Sequence, residues 1–224
     1  MEDQLREHLS KNSFPCIMAK SVLKNGVLDF HHVRHHSPES ILDLMGDFVF
    51  SYRSSEKLHS FILGFPAMSF GEFEEVFWKF LLELKSLDHS PSDYRVDSDP
   101  YSPRFSYSLH SEGFFILMLH PDSPRLSRRT KFPAIVFNPH QQFEDLRRKN
   151  IFTKVRDTIR VRDLKLQGKA NPMLHDFGVS SEIFQYTGKK YQAPDHFIEE
   201  FYANYPTANR NRFSPYERLE ASGY

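Results

Sequence analysis

The chain has a single cysteine, Cys16. An intrachain disulfide is therefore excluded, which fits a reducing compartment. It has no charge excess either, with 29 basic residues against 29 acidic ones. Balanced charge removes the electrostatic reason to expect a nucleic acid or an anionic membrane as partner. No apolar run approaches the ~18 residues that a membrane-spanning helix needs. Met1 to Asn12 is charged and lacks the apolar stretch of a signal peptide. These absences lead to the expectation of a cytoplasmic protein without membrane contact. The chain also lacks a Walker A motif, a G-x-G-x-x-G turn and a G-x-S-x-G elbow. Their absence weakens nucleotide-dependent and serine-hydrolase readings. Internal repeats and low-complexity tracts are missing as well.

At 224 residues the chain can bury one substantial core, and one domain is the default. Aromatics make up 15% of it, with 22 Phe. Phe is usually core, although a flat cofactor also needs aromatic and aliphatic walls. Val27 to Val33 reads as a strand. Ser37-Pro38-Glu39 reads as a helix start, followed by the apolar stripe Ile41, Leu42, Leu44, Met45 and Phe48. His59 to Phe65 is short and apolar, as a buried strand would be. Ser69 to Leu87 has Phe73, Val76, Phe77, Phe80, Leu81 and Leu84 at helical spacing. Pro91 to Pro103 has a loop composition. Phe105 to His110 and Phe114 to His120 form a hairpin candidate around Ser111-Glu112-Gly113, and Ala134 to Asn138 is a further strand. Helices are expected over Gln141 to Lys149, Thr153 to Leu166 and Ala193 to Tyr205. The pattern gives an α+β fold, a single domain with a mixed, largely antiparallel sheet flanked by helices; early alternation leaves α/β as the alternative. The expected division is an N-terminal extension over 1–12, the domain over 13–205 and a poorly ordered tail over 206–224.

The loop His120-Pro121-Asp122-Ser123-Pro124-Arg125-Leu126-Ser127-Arg128-Arg129 joins two apolar runs, the second ending in Asn138-Pro139-His140-Gln141-Gln142-Phe143-Glu144. Loops that leave buried strands are where binding and catalytic groups are usually placed. A neutral imidazole can ligate a metal, and clustered arginines pair with carboxylates or phosphates. A solvated basic loop is the bland alternative. This stretch, with F-P-C-I-M-A-K-S at Phe14 to Ser21, R-D-T-I-R-V-R-D at Arg156 to Asp163, N-P-M-L-H-D-F-G at Asn171 to Gly178 and S-E-I-F-Q-Y-T-G at Ser181 to Gly188, resembles the YqcI/YcgG family over roughly Ser13 to Lys190. Characterised members of that family are haem-dependent N-oxygenases that hydroxylate a guanidine nitrogen. The resemblance implies haem b, a small amino-acid or guanidine substrate such as arginine, oxygen or peroxide, and an electron donor; it leaves a homodimer open. A non-catalytic haem-binding or sensing protein is the alternative. The chain departs from the family at Tyr191 to Phe197, where the family often has Trp, Cys, Pro and Phe, and at the inserted Pro124.

On the residues alone, His120 is a strand-end histidine bonded to backbone; the resemblance makes it the first choice for axial ligand, with Cys16 as rival. A lone cysteine is otherwise a small buried hydrophobe, whereas a thiolate ligand would favour O–O cleavage. Arg125, Arg128 and Arg129 are candidates for haem propionates or a substrate carboxylate. Arg160, Arg162 and Asp163 are expected on a helix, either as a surface ion-pair face or, through the resemblance, as substrate contacts. Asn138 and His140 are expected beside His120, His140 as a further cofactor contact and Asn138 against substrate or bound oxygen unless it is simply a turn residue. A guanidinium would need an acid, and Glu144, Asp163, Asp176 and Glu182 are equal candidates. The group His31, His32, His35 and His36 suggests zinc, but no second ligand pair accompanies it, and a polar strand exit is the better reading.

Overall fold

The structure is a computed structural model that describes residues 1–191 and 195–206. Two short helices, α1 (Glu2–Ser10) and α2 (Ile17–Asn25), lead into strand β1 (Val27–His32) and helix α3 (Pro38–Arg53). Then come β2 (His59–Gly64), α4 (Phe70–Leu87), β3 (Tyr107–Leu109), β4 (Glu112–Leu119) and β5 (Ala134–Pro139). Helices α5 (Gln141–Arg148), α6 (Phe152–Gln167) and α7 (His196–Asn204) follow. The five strands form one sheet in the order β1-β2-β5-β4-β3. Within this sheet β1 and β2 pair in parallel and the other neighbours are antiparallel. This is the expected α+β fold with a mixed, largely antiparallel sheet. Among the described residues, no helix is long and apolar enough to cross a membrane.

Local chemistry explains where the long helices begin. Ser37 caps α3, accepting from Ser40 N at 3.3 Å, and Pro38 opens the first turn. Ser69 caps α4 in a full capping box, with Glu72 reaching back to Ser69 N at 2.8 Å. The stripe Phe73, Phe77, Leu81 and Leu84 is fully buried against the sheet.

Strand periodicity then divides the sheet into two unlike faces. Phe61, Leu63, Phe114, Ile116, Met118, Ile135 and Phe137 point to one face, where α3, α4 and α7 close over them in a continuous aromatic core. On the other face, Ile62, Leu119, Ala134 and Val136 pack with Leu5 and Leu9 of α1. The stretch expected to be an extension, residues 1–12, is thus part of the domain. Two boundaries also moved. The β3–β4 turn is His110-Ser111, both at positive φ (49° and 57°), so the hairpin turns earlier than Ser111-Glu112-Gly113. The last helix begins at His196, capped by Asp195 as expected. Residues 193 and 194 of that helix, and 207–224 of the expected tail, lie outside the described residues.

Candidate functional site

The second sheet face does not fill completely. Between it and helices α1, α2, α5 and α6 lies a cavity of about 330 Å³. That volume falls within the range of small-molecule pockets. Ile62, Phe115, Leu117, Leu119 and Val136 form its sheet wall, and Leu5, Leu9, Met18 and Val22 its helical wall. One end is therefore apolar. The other end is polar, built from α5, α6 and the segment 171–185.

His140 stands at the polar end. It follows β5 directly, and its backbone N–H is held by Gly113 O at 2.7 Å, so the sheet fixes its position. Its side chain is buried beside two carboxyls: Nε2 lies 3.3 Å from Glu144 Oε1, and Nδ1 lies 3.8 Å from Glu182 Oε1. Phe177 covers the ring at a centroid distance of 4.5 Å. Burial lowers the His140 pKa well below the usual imidazole range, with the Glu144 charge opposing it, so the ring is neutral. Burial also pushes Glu182 up to about 8, despite a hydrogen bond from Ser106 Oγ at 3.2 Å. A neutral imidazole flanked by a protonated carboxyl is thus the ground state at neutral pH.

Arginine–carboxylate pairs form the rest of the polar end. Arg125 pairs with Asp163, Arg147 with Glu144, and both Arg156 and Arg160 with Asp176. Arg128 is fully enclosed, donating to the carbonyls of Gln185 and Tyr186, and burial lowers its pKa to about 10. Three buried polar atoms on residues of this wall have no hydrogen-bond partner among the described residues: His140 Nδ1, Arg160 Nε and Asp163 Oδ1. Buried polar groups normally find partners, so such atoms mark places where a ligand or water completes the set.

Several expected residues meet here. Cys16, Arg125, Arg128, Asn138, His140, Arg160, Asp163, Asp176 and Glu182 all line the cavity, and Glu144 stands behind that wall, against His140 and Arg147. Their roles differ, however. Cys16 caps α2, accepting from Ala19 N at 3.4 Å, and burial raises its thiol pKa, which keeps it protonated. Asn138 accepts from Ser60 Oγ at 2.8 Å and donates to Phe115 O at 3.4 Å, so its amide is spent bridging strands.

Three expected residues lie elsewhere. His120 is buried on the opposite face, against Phe70 and Phe73 of α4. Its Nε2 donates to Met68 O at 3.0 Å and its Nδ1 accepts from Asp122 N at 3.0 Å. Both ring nitrogens are occupied by backbone, so the expected ligand is here a structural residue. Nor do His140 and Asn138 sit beside it. β4 and β5 are antiparallel, pairing Leu119 with Ala134 and Phe114 with Pro139. The ends of the two strands therefore lie roughly 20 Å apart along the sheet. Arg129 is exposed and donates to Ser123 O at 2.8 Å. Arg162 donates to Asn12 O and Phe14 O, at 2.9 and 3.2 Å, tying α6 to the N-terminal segment. The residues His31, His32, His35 and His36 join no group able to hold a metal among the described residues.

Sequence reasoning missed other wall residues. Gln142 clamps His59 N and O at 2.7 and 2.8 Å, and Arg147, Phe143, His175 and Phe177 complete the polar end. For Arg147 the available signal was its i,i+3 spacing from Glu144.

A sequence model of the YqcI/YcgG family matches residues 5–197. The uncharacterized protein YcgG of Bacillus subtilis (strain 168) is 24% identical over 147 residues, which cover 60% of this chain and 58% of that protein. The match thus spans less than two-thirds of that relative. No solved structure matches. The family match begins at Leu5 and passes beyond Gln185, so it takes in every residue of the cavity wall. The chain belongs to the YqcI/YcgG family.

Proposed function

We propose that this protein is a haem-dependent N-oxygenase that hydroxylates a guanidine or amine nitrogen of a small amino acid. One observation carries the reading: the three unpartnered buried atoms of the wall belong to an imidazole, a guanidinium and a carboxylate. These are the groups that an iron, a substrate carboxylate and a substrate cation would each need. The wall fits haem in kind, with an apolar sheet face, Phe115, Phe143 and Phe177, and the neutral imidazole of His140. His140 would hold the haem iron in place of His120, and Glu144 and Glu182 would orient its ring, as carboxylates do for metal-bound histidines. Haem b would supply the activation of oxygen or peroxide, drawing on an electron donor where oxygen is used.

The chain's own part is orientation. Asp163 Oδ1 accepts from the substrate's guanidinium or ammonium, while Arg160 Nε donates to its carboxylate. Both residues lie on α6, three positions apart and so on one face. A substrate gripped at both ends presents one nitrogen in a fixed place, which is an entropic gain rather than acid–base chemistry. The apolar sheet wall lowers the local polarity and so strengthens each charged contact.

A second reading, a non-catalytic haem-binding or sensing protein, is supported by Asp176 and Glu144. Both acids already have arginine partners, which leaves fewer anions for a cationic substrate. Hemin titration into the purified protein, followed by a mass-spectrometric screen of amino acids with reductant and oxygen or with peroxide, separates the two. A saturable Soret band and a product heavier by one oxygen support the enzyme. A Soret band without turnover or substrate-induced shift across a broad amine panel supports the sensor. No saturable Soret band at stoichiometric hemin sinks both.

A further inference from the structure

The chain holds a second pocket that shares no wall residue with the central cavity. It lies at the carboxyl ends of the parallel strands β1 and β2, where His32 and Gly64 are register partners. Crevices at the carboxyl ends of parallel strands are where α/β sheets bind ligands, because the loops diverge there. His32, Arg34 and His35 enter the pocket from the β1 side, and Gly64, Phe65, Pro66 and Ala67 from the β2 side; Met1 and Phe132 form the remaining wall. The pocket measures about 400 Å³.

Its charge is all of one sign. Arg34 is exposed and makes no hydrogen bond or ion pair with any described residue, and His32 and His35 contact each other edge to face at 5.9 Å. No acidic residue among the described residues lines the pocket. Gly64 keeps the floor low: a Cβ there would come within 2.7 Å of the Phe30 ring and 2.9 Å of Met1 Cε.

We propose that this pocket binds the phosphoryl group of a small molecule. Arg34 is the charged anchor, and the His32 and His35 rings donate from the β1 side. Three donors suit a tetrahedral dianion better than a planar carboxylate, which one guanidinium satisfies alone. The site stands independently of the haem reading, so either can fail without the other.

The test follows the imidazole resonances of the full chain by NMR while inorganic phosphate is added, with malonate as the carboxylate arm. Saturable shifts of His32 and His35, with affinity falling about tenfold or more in Arg34→Ala, are expected. Arg34 is exposed, so that variant keeps its fold; Arg129→Ala, equally exposed and outside the pocket, should bind as the parent does. Unchanged phosphate affinity in Arg34→Ala, or no saturable shift at millimolar phosphate, overturns the site. Malonate binding as tightly as phosphate overturns its assignment to a phosphoryl group.

Discussion

His140 Nδ1 lies 3.8 Å from Glu182 Oε1, too far for a hydrogen bond, and no other group among the described residues reaches it. His120, one strand away in sequence, has both nitrogens satisfied by backbone. The two histidines should therefore respond oppositely to substitution. His120→Ala strips two hydrogen bonds and an aromatic contact, and should cost about 2–4 kcal/mol of stability while leaving hemin affinity intact. His140→Ala should lose the Soret band or change its spin state while melting near the parent. If His140→Ala binds hemin with the parent's spectrum, the ligand is another wall residue. Cys16→Ala and His175→Ala are then the informative variants.

Asp163→Asn keeps the shape of α6 but removes the anion facing the cavity. With the haem-loaded protein, KM for a guanidine substrate should rise about tenfold or more with kcat less affected. Arg125 loses its charged partner in the same change, so thermal melting must accompany the kinetics. A KM that does not move in a folded variant would remove Asp163 from substrate binding.

His59 offers a test that needs no ligand. Its ring is buried between Phe48 and Tyr52, and neither ring nitrogen has a partner. Burial holds its pKa below the ordinary 6.5, with Asp29 opposing and Lys57 assisting. The unfolded chain therefore takes up this proton first as pH falls. The contribution is complete above about pH 6.5 and is lost as pH drops below it. His59→Phe should match the parent or exceed it by about 1 kcal/mol at neutral pH, since an unsatisfied polar group is removed. Its stability should fall less steeply on acidification. Parallel pH profiles in urea unfolding would show that His59 does not control this slope.

Gly188 sits at φ 79°, and a Cβ there would come within 2.8 Å of Arg128 Cδ. Gly188→Ala should therefore destabilise by about 1–3 kcal/mol through backbone strain and displacement of the buried guanidinium. A melting temperature equal to the parent's would show that the Arg128 side chain yields freely.

The parts of the fold legible in the sequence were those with dense, one-sided apolar patterns. The α4 stripe and the runs of β2, β4 and β5 fall within two residues of their expected bounds. α1 was missed because its only apolar signal is Leu5 and Leu9, one i,i+4 pair among charges. The β3–β4 turn was misplaced because His110 and Ser111 occupy left-handed positions where Asn-Gly is the usual sign. The turn holds through contacts distant in sequence: His110 Nε2 donates to Leu42 O at 2.8 Å, and Arg53 donates to both turn carbonyls. Most of the candidate site was readable as motifs, since nine of its expected residues line one cavity. The error lay in choosing between two histidines that each follow a buried strand. Phe115, Leu117 and Leu119 face the cavity, so parity alone turns His120 to the other side. Only the antiparallel register of β4 and β5 reveals that the two strands end far apart.

The unlike faces of the sheet divide the chain's responses to a ligand. One face is a filled aromatic core, which sets the opening energy of β2, β4 and β5 whether or not the cavity is occupied. The opposite wall hangs on α1, which carries only two buried apolar residues, and on α6, which buries no residue completely. Amide hydrogen exchange should therefore separate into two tiers: the central strands exchange slowly and indifferently, while α1, α2 and α6 exchange quickly and slow down when the cavity fills. Binding would be felt first as a loss of motion in those helices.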